Sequence, residues 1–318
     1  MVILPLLLLN AAAPTPMPPR LVLPVACTLG QTCAIQNYPD DDPGPQARNF
    51  TCHGQTYQGH DGTDFRLRSM EVQRQGVAVL AAASGIVLRA RDGVEDRSIR
   101  DKAPVAGQEC GNGLVVDHGG GWETQYCHMA KGSIAVRPGD KVAAGATLGK
   151  VGLSGNTEFP HLHLTVRKDG KAVDPFAWRA IAGSCHGGSS LWANTPAYRE
   201  GQILVTGFAA GPVEMAAVQD RGSDQQPRPD RTTGLVVFVQ AIGLQARDVQ
   251  RLTLQGPGGV VIADNRTQPL DRDKAQYLLF VGRRTAPPGG WPAGEYRAAY
   301  SVLRSNRIVI TDLARIRL

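Results

Sequence analysis

Short apolar segments separated by polar residues and turns recur along most of this 318-residue chain and predict β-strands. Between residues 77 and 174 the apolar segments are short, and they include VAVLAAASGIVLRA, GLVVDHG, WETQYCHM and HLHLTVRKDGKAVD. Turn-forming pairs such as Pro138-Gly139 and Asp169-Gly170 separate them. No stretch sustains the three-and-four spacing of an amphipathic helix. We therefore expect an all-β protein whose first folded part is made of short strands.

A second series of apolar segments fills residues 202–318. Its members are ILVTGFA, GLVVFVQAI, VQRLTLQG, VVIAD, QYLLFVGR, EYRAAYSVLR and RIVITDLARIRL. Strands repeating at roughly ten residues predict an antiparallel β-sandwich of immunoglobulin-like type. The composition changes at residues 184–201, which we expect to be a linker, and residues 219–233 are predicted to form a polar hinge or long loop.

The N-terminus predicts export. The apolar run Val2–Leu9 is followed by three alanines at 11–13, as in a signal peptide with its cleavage site, so residues 1–13 are assigned to one. No basic residue precedes Arg20, and a frayed apolar terminus is the alternative. The run is too short to span a bilayer, so we expect no transmembrane anchor after cleavage. Residues 14–56, rich in Pro, Asp and Asn, are predicted to form a cysteine-containing arm.

The abundance of 37 glycines and 22 prolines agrees with many turns, and the charge is unevenly distributed. Residues 1–185 hold 18 basic and 17 acidic side chains, whereas residues 186–318 hold 16 and 11. The basic residues of the second part are scattered and have no aromatic stacking motif beside them. We therefore expect a solvated surface and no nucleic-acid partner, with contact to an anionic polymer or membrane surface as the alternative.

Six cysteines, an even number, fit an oxidising compartment. Cys110 and Cys127 flank a predicted hairpin and should lie opposite each other, so we expect them to be bonded. We expect disulfides and not zinc ligation, because no Cys-x-x-Cys spacing occurs. Three pairings remain open for the other four cysteines, which are Cys27, Cys33, Cys52 and Cys185.

Two histidine motifs carry the candidate chemistry. GHDGTDFR places His60 and Asp64 four residues apart, and PHLHLTVR places His161 and His163 two apart. Period-two alternation puts both imidazoles of the second motif on one strand face, with the leucines on the other. Two histidines and one carboxylate make an open zinc site with a fourth position for water.

Hydrolysis also needs a proton acceptor and a donor for the developing oxyanion. His128, at the end of WETQYCHM, is a suitable further histidine, and alternation predicts that Tyr126 shares its face and adds a hydroxyl to the cleft. A single His-x-His is a weak signal, and a polar turn with a strand-edge histidine is the alternative. The combination of both motifs with a third histidine is a much stronger signal.

This combination resembles the lysostaphin-type (LytM-domain) zinc metallopeptidases, which cut peptide bonds in peptidoglycan. The resemblance runs from about Tyr57 to Trp178 and defines a predicted domain over residues 57–183. It implies a small antiparallel β-sheet with an active-site groove, and one Zn²⁺ bound by three residues. In matching positions, the zinc ligands are His60, Asp64 and His163, and the catalytic residues acting on water and oxyanion are His128 and His161. Which of these two is the general base stays open. The alternative role for both is to support the zinc ligands without transferring a proton.

The resemblance implies an exported zinc metalloendopeptidase that hydrolyses peptide cross-links of peptidoglycan, in the periplasm or cell envelope or secreted. Its expected partners are peptidoglycan stem or cross-link peptides, with wall-polymer contact through the C-terminal domain as a further possibility. A non-catalytic cell-wall-binding or amidase-activating module of the same fold is the alternative. Because family members of that kind have usually lost ligands, the complete set here favours catalysis. A peptidase acting on proteins is a third reading.

Several remaining polar residues are assigned to structure. His118 is expected in a turn or in packing, and His53 and His186 in loops. Asp40–Asp42 are expected in a solvated loop, because the later ligand positions of a calcium loop are missing. Asn37 is a conceivable temporary metal ligand if the arm covers the groove.

Overall fold

The computed structural model describes residues 17–101, 105–185 and 187–318. The predicted signal peptide at 1–13 and the predicted loop residue His186 lie outside these ranges. Among the described residues, none of the helices has the length and apolar character needed to cross a membrane.

The N-terminal half is built on one large antiparallel sheet with the strand order β1-β2-β9-β6-β5-β4-β7, to which β10 adds by pairing with β9. Strands β3 and β8 form a separate two-stranded sheet. The bounds are β1 (Cys33–Asn37), β2 (Thr63–Leu67), β3 (Ala78–Leu80), β4 (Gly85–Arg91), β5 (Asn112–Gly119), β6 (Trp122–Met129), β7 (Lys141–Val142), β8 (Thr147–Lys150), β9 (His161–Lys168) and β10 (Lys171–Val173).

The C-terminal half has two antiparallel sheets, ordered β11-β12-β15 and β14-β13-β16-β17. Buried side chains of both sheets, among them Val237, Leu252 and Tyr300, pack into one core, so this half is a β-sandwich. Its immunoglobulin-like type stays a prediction. The bounds are β11 (Gln202–Ala209), β12 (Leu235–Leu244), β13 (Val249–Gln255), β14 (Val261–Arg266), β15 (Lys274–Arg283), β16 (Glu295–Arg304) and β17 (Arg307–Arg317).

The prediction of a nearly all-β chain is confirmed, with two short helices as exceptions. These are α1 (Met70–Gln75) and α2 (Met215–Arg221), and single turns of 3₁₀ helix occur at Ile99–Asp101 and Pro257–Gly259. Ser69 caps α1 by accepting the amide of Val72 through its hydroxyl oxygen. Six or seven residues are too few for helical spacing to stand out in the sequence. Helix α2 also occupies the start of the predicted loop at 219–233.

The arm contains regular structure that the sequence pattern did not indicate. Strand β1 forms the edge of the large sheet beside β2, and its Cys33 and Ile35 are buried. Leu21 from the arm and Trp192 from the predicted linker belong to the same hydrophobic core as β9. Both segments therefore pack as parts of the N-terminal half, while the domain boundaries themselves stay predictions.

The predicted disulfide between Cys110 and Cys127 is confirmed. Of the three pairings left open for the other cysteines, the structure has Cys27 bonded to Cys33 and Cys52 bonded to Cys185. All six cysteines lie in the described residues and none is free.

Candidate active site

The three predicted metal ligands meet at one point on the large sheet. His60 Nε2 lies 3.2 Å from Asp64 Oδ1 and 3.2 Å from His163 Nδ1, and His163 Nδ1 lies 2.9 Å from Asp64 Oδ1. His60 and Asp64 are buried, and the side chain of His163 is 12% exposed. A tetrahedral zinc ion with bonds of about 2.0–2.1 Å separates its ligand atoms by roughly 3.3 Å. The donor atoms therefore fit one zinc ion in both chemical type and spacing.

Strand pairing places these side chains together. Asp64 on β2 is the direct cross-strand partner of His163 on β9, so both side chains project from the same face. Leu162 and Leu164 anchor β9 in the core on the opposite face, as its alternation predicts. Gly62 allows the turn carrying His60 to approach, because a Cβ there would lie 2.6 Å from His163 Nε2.

The second ring nitrogen of each ligand histidine is held by an oxygen atom. His60 Nδ1 lies 2.7 Å from the carbonyl oxygen of Tyr38, which holds the proton on Nδ1 and leaves Nε2 to face the site. His163 Nε2 lies 3.1 Å from Asp61 Oδ1 and 3.0 Å from Thr165 Oγ1. Such contacts fix the ring orientation and the tautomer that a metal ligand needs.

His128 and His161 lie beside the three ligands. Their ring centroids are 4.6 Å apart, and His161 Nε2 is 3.4 Å from Asp64 Oδ1. His128 Nδ1 lies 2.8 Å from the Ser154 carbonyl oxygen, and His161 Nδ1 lies 2.9 Å from that of Phe159. Both rings therefore direct Nε2 toward the site, and the Nε2 of His161 faces the Asp64 carboxylate.

The prediction that Tyr126 adds a hydroxyl to this cleft is wrong. Tyr126 is fully buried, and its hydroxyl oxygen accepts the Ala82 amide at 2.7 Å on the core side of the sheet. His128 escapes the alternation of its strand because its φ of 62° turns the backbone into the left-handed region. The side chain of Tyr126 therefore lies in the core, and that of His128 lies in the site.

The electrostatics of the site favour an ionised carboxylate among histidines. Burial raises the pKa of Asp64, but the charges of His60 and His161 and hydrogen bonds from His161 and His163 outweigh it and hold this pKa well below its usual value. Burial lowers the pKa of His128 well below the usual value, and the charges of His161 and His163 lower it further. A neutral His128 is the protonation state that accepts a proton.

His163 shows the opposite balance. Burial lowers its pKa, but hydrogen bonds to Asp61 and Asp64 raise it more, to about 9. A metal ion at Nδ1 therefore competes with a proton for this nitrogen.

The profile of peptidase family M23 matches residues 58–175, which include every candidate metal and catalytic residue. Residues 58–175 are an M23 peptidase domain. Among curated proteins, the peptidoglycan DD-endopeptidase ShyA of Vibrio cholerae is 32% identical over 146 residues, covering 44% of this chain and 29% of ShyA.

Two further curated proteins are similar to this chain, and their names describe different activities. The DD-carboxypeptidase/endopeptidase Mpg of Neisseria meningitidis is 30% identical over 121 residues, covering 38% of this chain and 23% of Mpg. The murein hydrolase activator EnvC of Escherichia coli is 33% identical over 97 residues, covering 30% of this chain and 23% of EnvC. The chain thus spans less than a third of the length of each of these three relatives.

Other residues beside the candidate metal-binding cluster of His60, Asp64 and His163 were not identified from the sequence. The exposed Asp61, in the variable position of GHDGTDFR, contacts His163 and lies 3.3 Å from Arg167. The half-exposed Tyr57 has its ring centroid 4.4 Å from that of His60. The only sequence signal for Asp61 was its position next to His60. That its side chain points toward His163 depends on the conformation of the turn between them.

Asn37 and His118 were both singled out from the sequence. Asn37, at the end of β1, donates its side-chain amide to Asp64 Oδ2 at 2.8 Å, so the arm reaches the M23 site. Its role as a temporary ligand stays a prediction. His118 contacts the Ser84 carbonyl oxygen and Thr124 Oγ1 away from the cluster, in agreement with its expected packing role.

Proposed function

We propose that this protein is an exported zinc metalloendopeptidase that hydrolyses peptide cross-links of bacterial peptidoglycan. The observation that supports it most is the convergence of His60, Asp64 and His163 with two further histidines at one place on the sheet. The name of ShyA, a peptidoglycan DD-endopeptidase, supports peptidoglycan as the substrate, and the name of Mpg, a DD-carboxypeptidase/endopeptidase, supports peptide-bond hydrolysis.

In the proposed mechanism, His60 Nε2, Asp64 Oδ1 and His163 Nδ1 hold one zinc ion. When bound, zinc acts as a Lewis acid and lowers the pKa of water toward neutrality. Of His128 and His161, one accepts the proton of the attacking water through Nε2 and the other stabilises the oxyanion of the tetrahedral intermediate. The carbonyl oxygens of Ser154 and Phe159 keep both rings in the orientation for these roles.

The first experiment tests metal dependence on the substrate itself. Full-length protein is incubated with purified peptidoglycan sacculi, with and without a zinc chelator, and new amino groups are counted. We expect release in the untreated sample, loss with chelator and recovery on adding zinc. Equal release in both samples would refute the zinc mechanism, and parallel incubation with casein tests a general protease.

Site variants separate metal binding from turnover. His163→Ala should lose zinc and activity together, whereas His128→Ala should retain zinc and lose turnover. His53→Ala is a matched control, since His53 is a partly exposed histidine of the arm that contacts Glu200 and Tyr198. Normal cleavage by His128→Ala would show that its assigned role is wrong.

A non-catalytic activator is the second candidate, and the similarity to EnvC supports it. The two candidates differ in what the purified protein does alone. An activator would show no cleavage of sacculi with zinc present, and would increase release by an added amidase. Export is part of the proposal because three disulfides persist best in an oxidising compartment and peptidoglycan lies outside the cytoplasm.

A further inference from the structure

The face of the sheet that carries the metal-binding cluster continues beyond it to the far edge strands. A row of direct cross-strand partners joins Thr165 on β9, Gln125 on β6, Val115 on β5 and Arg89 on β4. Cross-strand partners project from the same face, so this row lies on the face of His163. Thr165 Oγ1 contacts His163 Nε2 at 3.0 Å, which places the start of the row at the site.

A pocket of about 270 Å³ lies at the far end of this row. Its lining includes Arg89, Arg91, Val115, Gln125 and Cys110. Three steps between neighbouring strands, at about 4.8 Å each, separate Thr165 from Arg89 by roughly 14 Å. An extended peptide covers that distance with about four residues. One substrate chain lying across the strands can therefore occupy the metal-binding cluster and this pocket together.

The polar groups of the pocket leave one cation available. Arg91 donates to the carbonyl oxygens of Gly111 and Gly107, at 2.7 Å and 3.3 Å, and holds the adjoining loop. Gln125 donates its amide to the sulfur atoms of the Cys110–Cys127 bridge and accepts from Arg167.

Arg89 makes only a 3.9 Å ion pair with Glu123, and its side chain is 65% exposed. Exposed ion pairs of this kind are weak, so a ligand carboxylate can replace Glu123 as the partner of Arg89.

We propose that this pocket, defined by Arg89, Arg91, Val115, Gln125 and Cys110, is a substrate subsite for a peptide carboxylate about four residues from the bond at the metal-binding cluster. The guanidinium of Arg89 binds the carboxylate, and the fixed side chains of Arg91 and Gln125 shape the wall and floor. This subsite deepens the proposed function, on which it rests, by giving the substrate a negative charge at a defined place.

The test compares peptides that differ only in carboxylates. Uncross-linked stem peptides are used as native acids and after amidation, and their dissociation constants for full-length, zinc-loaded protein are measured by calorimetry. We expect native peptides to bind about tenfold more tightly. Arg89→Ala should reduce this preference to nearly none, and Glu123→Gln, which removes the competing carboxylate, should increase it. Peptides amidated only at their C-termini distinguish a terminal carboxylate from one in a side chain.

The matched control is Arg251→Ala, which removes an exposed strand arginine that pairs with Asp264 in the C-terminal half. It should keep the full preference for native peptides. The proposed subsite would be wrong if Arg89→Ala and Arg251→Ala preferred native over amidated peptides equally. It would also be wrong if the unaltered protein showed no such preference. Because binding is measured without turnover, failure of the proposed cleavage appears separately, as intact cross-links in the sacculus assay.

Discussion

At the scale of single residues, the site is organised by oxygen atoms that each hold one nitrogen of a histidine ring. Backbone carbonyls hold His60, His128 and His161, whereas a carboxylate, that of Asp61, holds His163 together with a threonine hydroxyl. The hydrogen bond from His163 lowers the pKa of Asp61, so this carboxylate is ionised at neutral pH. A charged acceptor makes the ligand nitrogen on the other side of the ring more basic.

The first prediction concerns this carboxylate. Asp61→Ala should weaken zinc affinity by about tenfold or more, because His163 then keeps only Thr165 to orient its ring. Competition with a chromophoric chelator measures the affinity directly. The zinc affinity of Asp61→Asn, which retains an oxygen acceptor, should lie between those of the unaltered protein and Asp61→Ala. Asp264→Ala controls for loss of a surface carboxylate. An unchanged affinity in Asp61→Ala would show that Thr165 alone suffices.

A second prediction concerns stability against pH. Burial raises the pKa of Asp174 to about 7, and one of its carboxyl oxygens lacks a hydrogen-bond partner. Since the unfolded chain ionises near the usual value of 3.8, the folded state retains a proton that the unfolded state loses, and stability falls as the pH rises from about 4 to 7. Asp174→Asn should remove this contribution while retaining an acceptor for the Phe176 amide.

Melting temperatures of both proteins at pH 4 and pH 8 test this expectation. The melting temperature of Asp174→Asn, relative to that of the unaltered protein, should be higher at pH 8 than at pH 4. A difference that is the same at both pH values would show that Asp174 does not titrate in this range.

At the scale of elements, the alternation of β9 predicted its two faces correctly, because every residue from His161 to Val166 keeps extended geometry. The same rule failed at His128, where a non-glycine residue adopts positive φ without any sequence signal. Strand β1 was missed because five residues among polar neighbours carry too little pattern, and pairing with β2 supplies its stability. Local periodicity thus predicts strands, while tertiary contacts decide the exceptions.

The three disulfides provide a prediction about how elements are joined. Their bonded residues are 6, 17 and 133 positions apart, for Cys27–Cys33, Cys110–Cys127 and Cys52–Cys185. Loop-closure entropy then predicts losses of about 2, 3 and 5 kcal/mol when each pair is replaced by alanine. Urea unfolding of the three double variants measures the losses. The opposite order would mean that local packing and not loop closure governs these bridges.

At the scale of the whole molecule, the two halves share a polar network next to the site. Arg66 on β2 is fully buried, and burial together with the charge of Arg100 lowers its pKa to about 9. No carboxylate of the described residues lies within 4.0 Å of its guanidinium. It donates instead to Gln36 Oε1 at 2.7 Å and to Gln276 Oε1, on β15 of the C-terminal half, at 2.9 Å. The C-terminal half therefore supplies an acceptor for a buried cation of the M23 domain.

This network leads to a proposed catalytic residue. The Arg66 guanidinium lies 4.1 Å from the centroid of the Phe159 ring, which lies 5.0 Å from that of His161. Gln276→Leu should leave Arg66 without this acceptor and reduce kcat several-fold, with zinc content and KM little changed. Gln276→Glu keeps an oxygen acceptor and should restore kcat. If Gln276→Leu lowers the melting temperature but leaves kcat unchanged, the contact between Gln276 and Arg66 contributes to stability only. The C-terminal half would then have no part in catalysis.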